Sequence, residues 1–269
     1  MKLSIKNFET GTTPCIIHGN GASKKSTLPW YGPWDDVIKC HCNYDKFEKK
    51  LLRKDLTIVS WKGGKYANKE TPLEISCRKF GIPIYIMNWY PVTNFWVETK
   101  KRLIDTAEEI RSGRINTKYI MALDCGDTYL FKHPNDIIEI FLETFGEYGT
   151  VWNAETNDWP HNKLPKYKSH IALDEPLKEV SIYDQQQKKI QNSRFVHLNG
   201  GGVIGRCDSL LEFYDYDNST FKFVDTVDQA MGRITQYRFK NIHTLDYQCK
   251  IFQTLYNVNR KQFQCEINE

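Results

Sequence analysis

The chain has 269 residues, 40% of them hydrophobic and 26% charged, with a formal net charge of +4. This length accommodates one large globular domain or two small ones. The lysines and arginines are scattered rather than concentrated in one segment, which argues against a nucleic-acid-binding protein. The longest apolar stretch, residues 82–87, is far too short to cross a bilayer.

The N-terminus and the cysteines favour a cytoplasmic protein. Residues 1–9 lack the apolar core of a signal peptide. The eight cysteines do not have the paired spacing of a disulfide scaffold or a zinc site, so we expect reduced thiols. Metal binding by Cys40-His41-Cys42 remains a minor alternative, because zinc ligands usually need wider spacing to converge.

From about residue 55 the chain alternates short apolar runs with segments of helical spacing. The predicted strands are residues 55–61, 82–87, 118–123 and 150–154. The predicted helices are residues 72–80, 96–112 and 135–145, the first two of which end at Gly81 and Gly113. This alternation predicts an α/β fold with a mostly parallel sheet that is covered by helices on both faces.

The second half of the chain is less regular. Residues 161–190 are polar and lysine-rich, which predicts a mobile loop over a site. Residues 197–204 contain three consecutive glycines, where a tight turn or the close approach of a ligand is expected. Residues 228–252 predict two helices with a strand between them, and residues 262–267 predict a further strand.

Two carboxylates, Asp124 and Asp127, directly follow the third predicted strand. In an open α/β sheet, ligands bind outside the carboxyl ends of the strands. Carboxylates at that position suit Mn²⁺ or Mg²⁺ bound to a diphosphate. When the diphosphate is a leaving group its negative charge grows, and the cation stabilises that charge. Taken alone, the pair is equally consistent with capping of the following turn.

Four further segments follow the aspartates in order: VWNAETNDWP (151–160), FVHLNGGGVIG (195–205), VDQ (227–229) and LDYQCKIFQ (245–253). Together they resemble the glycosyltransferase domain of procollagen lysyl hydroxylases and related collagen glycosyltransferases. The ordered set covers most of residues 55–269. The resemblance implies a GT-A fold, which is Rossmann-like, and metal-dependent transfer of glucose or galactose from a UDP-sugar to a hydroxyl. The family's acceptors are hydroxylysine and galactosyl-hydroxylysine of collagen-like chains.

The family's I-H-G-N-G segment lies near the C-terminal end of its domain, but in this chain it occupies residues 17–21. Chain ends in compact domains are often close together, so we predict one circularly permuted domain. Residues 1–34 would correspond to the family's C-terminal segment, and residues 55–269 would form the main α/β body. Residues 35–54 would be the segment that connects these two parts. The alternative is that residues 1–34 are a remnant of an upstream copy.

The permuted arrangement makes a topological prediction. Residues 2–8 alternate apolar and polar side chains, as a half-buried strand does. We expect this strand to lie antiparallel to the strand predicted at residues 262–267, with Met1 and Glu269 close in space.

The resemblance implies a role for several residues. The metal ligands for Mn²⁺, with Mg²⁺ as second choice, would be His18, Asp124 and Asp127. The UDP-sugar would contact Lys24 at its diphosphate, Ser60 and Trp61 at its uridine, and also Asp124 and Trp89. The sugar pocket and the reacting groups would involve Trp159, Asn199 and Asp228, with Asp228 facing the donor sugar and the acceptor hydroxyl.

The chain departs from the family pattern at two positions. Val227 replaces one of two adjacent acidic residues, and either Asp225 or Asp228 would have to cover its role. Gly200 replaces a serine, which removes a hydroxyl from the rim of the pocket. The change at Val227 supports an alternative, a non-catalytic module that binds a nucleotide-sugar or a carbohydrate. The retained metal ligands favour an enzyme.

Overall fold

The computed structural model describes residues 2–20, 33–88, 95–159, 171–221, 228–259 and 261–268. In chain order the strands are β1 (Lys2–Asn7), β2 (Ile16–His18), β3 (Leu56–Lys62), β4 (Tyr85–Asn88), β5 (Tyr119–Leu123), β6 (Thr128–Leu130), β7 (Thr150–Glu155), β8 (His197–Arg206), β9 (His243–Leu245), β10 (Phe252–Thr254) and β11 (Phe263–Asn268). The α-helices are α1 (Pro33–Asn43), α2 (Pro72–Phe80), α3 (Phe95–Arg111), α4 (Pro134–Phe145), α5 (Ile171–Ile190), α6 (Cys207–Thr220) and α7 (Asp228–Arg238).

A six-stranded sheet with the order β4-β3-β5-β8-β7-β9 forms the centre of the fold. Five of its strands run in the same direction, and β8 runs antiparallel to its neighbours β5 and β7. Every residue of β5 and β7 is buried, as expected for strands with helices packed on the sheet. The predicted α/β class with a mostly parallel sheet is therefore confirmed.

Local signals set the bounds of α2. The hydroxyl of Thr71 accepts from the backbone amide of Glu74, and the carboxylate of Glu74 accepts from the backbone amide of Thr71, forming a capping box. Gly81 ends the helix in the left-handed conformation, with φ of 71°. The predicted and observed helices coincide here because both ends are specified by neighbouring residues.

Two smaller sheets connect the beginning and the end of the chain. In the first, β2 lies between β10, which is parallel to it, and β6, which is antiparallel. In the second, β1 pairs antiparallel with β11, so that Lys2 lies opposite Asn268. This confirms the predicted pairing of residues 2–8 with residues 262–267, while Met1 and Glu269 lie outside the described residues.

Three sequence predictions are corrected by the structure, beginning with the expected loop at residues 161–190. Residues 171–190 form helix α5, and residues 161–170 lie outside the described part of the chain. Leu177, Val180 and Asp184 are all buried at helical spacing. The hydrophobic period was hidden because one of the buried positions is an aspartate that forms an internal ion pair.

The other corrections concern the glycines and the segment before β10. The three glycines form no turn but belong to the continuous strand β8. Residues 246–251, all of which the structure describes, form no second helix, because the carboxylate of Asp246 accepts hydrogen bonds from the backbone amides of Lys250, Ile251 and Phe252. A tight connection stabilised by this side chain leads directly into β10.

The eight cysteines are free thiols. Among the helices of the described residues, none combines the length and the apolar composition that a membrane span requires. His41, the histidine between two cysteines, is buried, and its Nε2 lies 3.1 Å from the carbonyl oxygen of Leu130. The imidazole therefore packs in the core of the protein. This position does not support a metal site at Cys40-His41-Cys42.

Candidate active site

Three side chains of types that can bind a metal ion meet beyond the carboxyl end of β5. Asp124 follows that strand, Asp127 precedes β6, and β6 pairs with β2, whose last residue is His18. The Nε2 atom of His18 lies 3.6 Å from Oδ2 of Asp124 and 3.3 Å from Oδ1 of Asp127. One ligand atom from each residue lies within 4.8 Å of the others. Two ligands at right angles on a cation about 2.1 Å away lie about 3 Å apart, so these separations fit a shared cation.

Charge around His18 is suited to a cation. Burial disfavours a protonated imidazole, but the carboxylates of Asp127 and Asp124 outweigh burial and raise the pKa of His18 to about 9. The side-chain nitrogen of Asn153 lies 3.2 Å from the other ring nitrogen, Nδ1. This neighbour restricts rotation of the ring. An imidazole that binds a cation through Nε2 carries its proton on Nδ1, and the amide oxygen of Asn153 rather than its nitrogen would accept that proton.

A glycine of β8 makes room for this histidine. A Cβ atom on Gly201 would lie 2.1 Å from Cε1 of His18, closer than any real contact between such atoms. A larger residue would therefore displace the ring from the aspartates. The close approach expected at the three glycines occurs, but the approaching group is a side chain of the protein.

Arg102 of α3 links this cluster to a further carboxylate, Asp228, and sequence analysis missed the arginine. Its Nη1 donates to Oδ1 of Asp124 at 2.5 Å, and its Nε donates to Oδ2 of Asp228 at 2.6 Å. Nη2 donates to the same Asp228 oxygen and to the carbonyl of Gly200. The guanidinium carbon also lies 5.3 Å from the centre of the Trp61 ring. Burial raises the pKa of Asp228, and the positive charge of Arg102 opposes that rise.

One signal in the sequence could have identified Arg102. The residues three positions before it and four positions after it, Thr99 and Thr106, are uncharged and buried. They lie on the same side of α3 as the arginine because a helix repeats every 3.6 residues. A lone arginine on such a buried face requires a buried partner.

The carboxylate of Glu155 accepts hydrogen bonds from segments that are far apart in the chain. It accepts from the side-chain amides of Asn20 at 2.9 Å, Asn199 at 3.0 Å and Gln229 at 2.5 Å. Burial raises the pKa of Glu155, while the amides of Asn199 and Gln229 act in the opposite direction. Four of the segments that carry the family resemblance therefore meet at one side chain.

Ser60 and Trp61 of β3 contact Leu123 and Cys125, the residues on either side of Asp124. The hydroxyl of Ser60 is buried and donates to the carbonyl of Leu123 at 2.5 Å. The carbonyl of Trp61 accepts from the thiol of Cys125 at 2.8 Å. The hydroxyl of Ser60 therefore donates its hydrogen bond to the neighbouring strand β5.

Trp159 and the remaining predicted residues complete the picture. Trp159 is half-buried, and its carbonyl lies 3.2 Å from Nη1 of Arg233 and 3.4 Å from Nε2 of Gln229. The residues that lie outside the described part of the chain are Lys24, Trp89, Asp225 and Val227.

No protein-family model matches the chain, and no curated protein matches it. Among solved structures, the chain is similar to a glycosyltransferase involved in the glycosylation of the major capsid of PBCV-1. The two share 15% identity with a TM-score of 0.40, over 74% of this chain and 83% of that chain. Similarity at this level assigns neither an activity nor a ligand, so a functional assignment rests on the side chains of the site.

Proposed function

We propose that the chain is a Mn²⁺-dependent glycosyltransferase of the GT-A type that transfers a hexose from a UDP-sugar to a hydroxyl. The observation that carries the proposal is the grouping of His18, Asp124 and Asp127 at the carboxyl end of a sheet strand. A diphosphate bound outside a parallel sheet lies at that end. The family resemblance supports UDP-glucose or UDP-galactose as donor, and hydroxylysine or galactosyl-hydroxylysine as acceptor.

The donor set favours Mn²⁺ over Mg²⁺. One imidazole nitrogen and two carboxylates form a mixed nitrogen and oxygen set, whereas Mg²⁺ prefers oxygen ligands and keeps several waters. A cation held there would supply positive charge against the oxygens of a leaving nucleoside diphosphate.

The protein's own groups would orient the sugar and the acceptor. Arg102 binds one oxygen of Asp124 and leaves the other, Oδ2, on the side of His18. The same guanidinium holds Asp228 in a charge-assisted hydrogen bond beside the cluster. Asp228 is thereby suited to accept a hydrogen bond from a hydroxyl of the donor sugar or from the acceptor hydroxyl. The mechanism assigns Arg102 the role of keeping that carboxylate at a constant position relative to Asp124.

The proposal is tested by measuring UDP release from several UDP-sugars, with and without an acceptor, in Mn²⁺ or in EDTA. We expect turnover that requires the metal and is lost in the Asp127→Ala variant. A control variant, Asp45→Ala, changes a carboxylate that is 88% exposed and should retain full turnover. Metal-dependent UDP binding without turnover of any donor would instead favour the non-catalytic module.

Nucleotide preference supplies a second test. UDP should raise the melting temperature only when Mn²⁺ is present, because a ligand that binds the native state alone stabilises it by mass action. Equal shifts with ADP or GDP, or shifts that persist in EDTA, would contradict a UDP-sugar enzyme.

A further inference from the structure

Arg233 of α7 is a buried charge that the proposed mechanism does not use. Only 1% of the residue is exposed. A charged side chain in such a place costs free energy unless partners compensate for the lost water. Its partners therefore indicate what the arginine does.

The partners of Arg233 come from three different parts of the fold. Nη2 donates to Oδ2 of Asp184 on α5 at 2.8 Å, and that carboxylate also lies 2.7 Å from Nδ1 of His197 on β8. Nη1 donates to Oδ1 of Asp158 at 2.5 Å and to the carbonyl of Trp159 at 3.2 Å. One guanidinium thus joins α7, α5 and the segment that follows β7.

Residues 156–159, the segment that follows β7, are also linked to the candidate active site. Gln229, one helical turn before Arg233, donates to both Glu155 and the carbonyl of Trp159. The first residue of the same helix is Asp228, which Arg102 binds. Helix α7 therefore contacts the site through Asp228 and Gln229 and contacts residues 158–159 through Arg233.

A purely stabilising role accounts poorly for this arrangement. Well-packed apolar side chains often stabilise a protein as much as, or more than, a buried ion cluster of similar volume. A planar guanidinium with several fixed donors does what an apolar side chain cannot, because it sets the direction and the distance of each partner. Here the partners include the main chain at Trp159.

We propose that Arg233 is a positioning residue, which holds residues 158–159 at a set distance from Asp228 and Gln229 and so places Trp159 against the hexose. The inference rests on the proposed function for the role of Trp159, but the positioning itself does not require turnover. Arg233 acts on the sugar side of the site, whereas His18, Asp124 and Asp127 act on the diphosphate side.

The experiment compares the wild type with Arg233→Met, Asp158→Ala and a control, Arg238→Met. Arg238 lies on the same helix but is exposed. In Arg233→Met and Asp158→Ala, we expect the KM for UDP-sugar to rise on the order of 10- to 100-fold, as misplacement of a substrate-contacting group does. Binding of UDP with Mn²⁺ should stay within about twofold of the wild type, since the metal ligands are untouched.

A second readout does not depend on activity. Hydrogen exchange of the backbone amides at residues 156–159 should become faster in both variants and stay unchanged in Arg238→Met. Arg233→Met removes the arginine from the buried carboxylate of Asp184 and can fail to fold. Asp158→Ala then decides, because its side chain is 31% exposed and the pair of Arg233 with Asp184 remains.

The two proposals fail in different ways. If the wild type neither binds UDP nor turns over a UDP-sugar, the proposed function fails, and hydrogen exchange still tests the positioning. Unchanged exchange at residues 156–159 in a folded Asp158→Ala variant overturns the positioning role, whatever the activity. An unchanged KM for the sugar donor, in an enzyme that is active, overturns it as well.

Discussion

The imidazole Nε2 of His18 lies 3.3 Å from Oδ1 of Asp127, because β2 pairs with β6 at the residue that follows Asp127. This contact joins the beginning of the chain to residues 124–127. It depends on hydrogen bonds between strands rather than on neighbouring residues.

Removing one carboxylate of the cluster should strongly weaken the metal-dependent binding of UDP. Asp127→Ala leaves one carboxylate and the imidazole, so we expect the Kd for UDP in Mn²⁺ to rise on the order of 100-fold, about 2.7 kcal/mol. Isothermal titration calorimetry measures the change. Asp45→Ala is the matched control, and unchanged binding in Asp127→Ala would remove the metal site.

Metal binding should release a proton from His18. An imidazole that binds a metal ion must be neutral, and without metal Asp127 and Asp124 raise the pKa of this buried imidazole to about 9. Affinity for Mn²⁺ should therefore fall as the pH is lowered from about 9 towards 6.5. Titration at pH 7.5 in two buffers of different ionisation enthalpy should detect about one proton released per ion. No proton release would contradict a role for His18 as ligand.

The same raised pKa predicts how the metal-free protein responds to pH. The ion pairs of a protonated His18 contribute stability that is fully present below the unfolded pKa of 6.5 and is lost as pH rises through about 9. In EDTA, the melting temperature of the wild type should therefore fall across this range more steeply than that of His18→Gln. Parallel curves for the two proteins would show that the imidazole is not paired in the folded state.

Gly201→Ala should remove metal binding while leaving the fold intact. The added Cβ would lie 2.1 Å from the His18 ring, which must move away from the aspartates. A matched control is Gly232→Ala, whose Cβ would meet no atom closer than 3.5 Å. Because Gly232 lies inside a helix, its replacement by alanine should raise the free energy of unfolding by roughly 0.5–1 kcal/mol. Mn²⁺ affinity and circular dichroism of both variants decide the matter.

Burial of Asp217 on α6 should make the stability of the folded protein depend on pH. Burial raises the pKa of Asp217 well above its usual value, which the hydrogen bond from Thr235 does not offset. The protonated acid is favoured in the folded protein, so stability is lost as pH rises from about 3.8 through the folded pKa. Asp217→Asn should raise the melting temperature at neutral pH, and the gain should vanish near pH 4. Asp215→Asn, which changes a half-exposed neighbour, should show no such trend.

The proximity of the ends predicts that the chain tolerates a new start. Lys2 and Asn268 are partners in one antiparallel pair, so a short Gly/Ser linker can join the termini. Opening the chain near Asp45 should give a folded protein that binds UDP in the presence of Mn²⁺. A variant that is insoluble or unfolded would count against the circularly permuted arrangement.

Local features could be predicted from the sequence where the responsible residues are neighbours. The bounds of α2 follow from Thr71, Glu74 and Gly81, and Asp124 was expected directly after a buried strand. The antiparallel strand β8 and the helix α5 were missed. Their patterns were hidden, in one case by three glycines and in the other by the buried Asp184.

The alternation of strands and helices, the aspartates at the end of β5 and the pairing of the first and last strands could all be predicted from the sequence. Which polar groups share a site depends on the tertiary fold. The bonds from Arg102 to Asp124 and Asp228, and those from three amides to Glu155, join segments distant in the chain. Buried charges and amides must find partners wherever folding brings them, and spacing along the chain does not specify which partners those are.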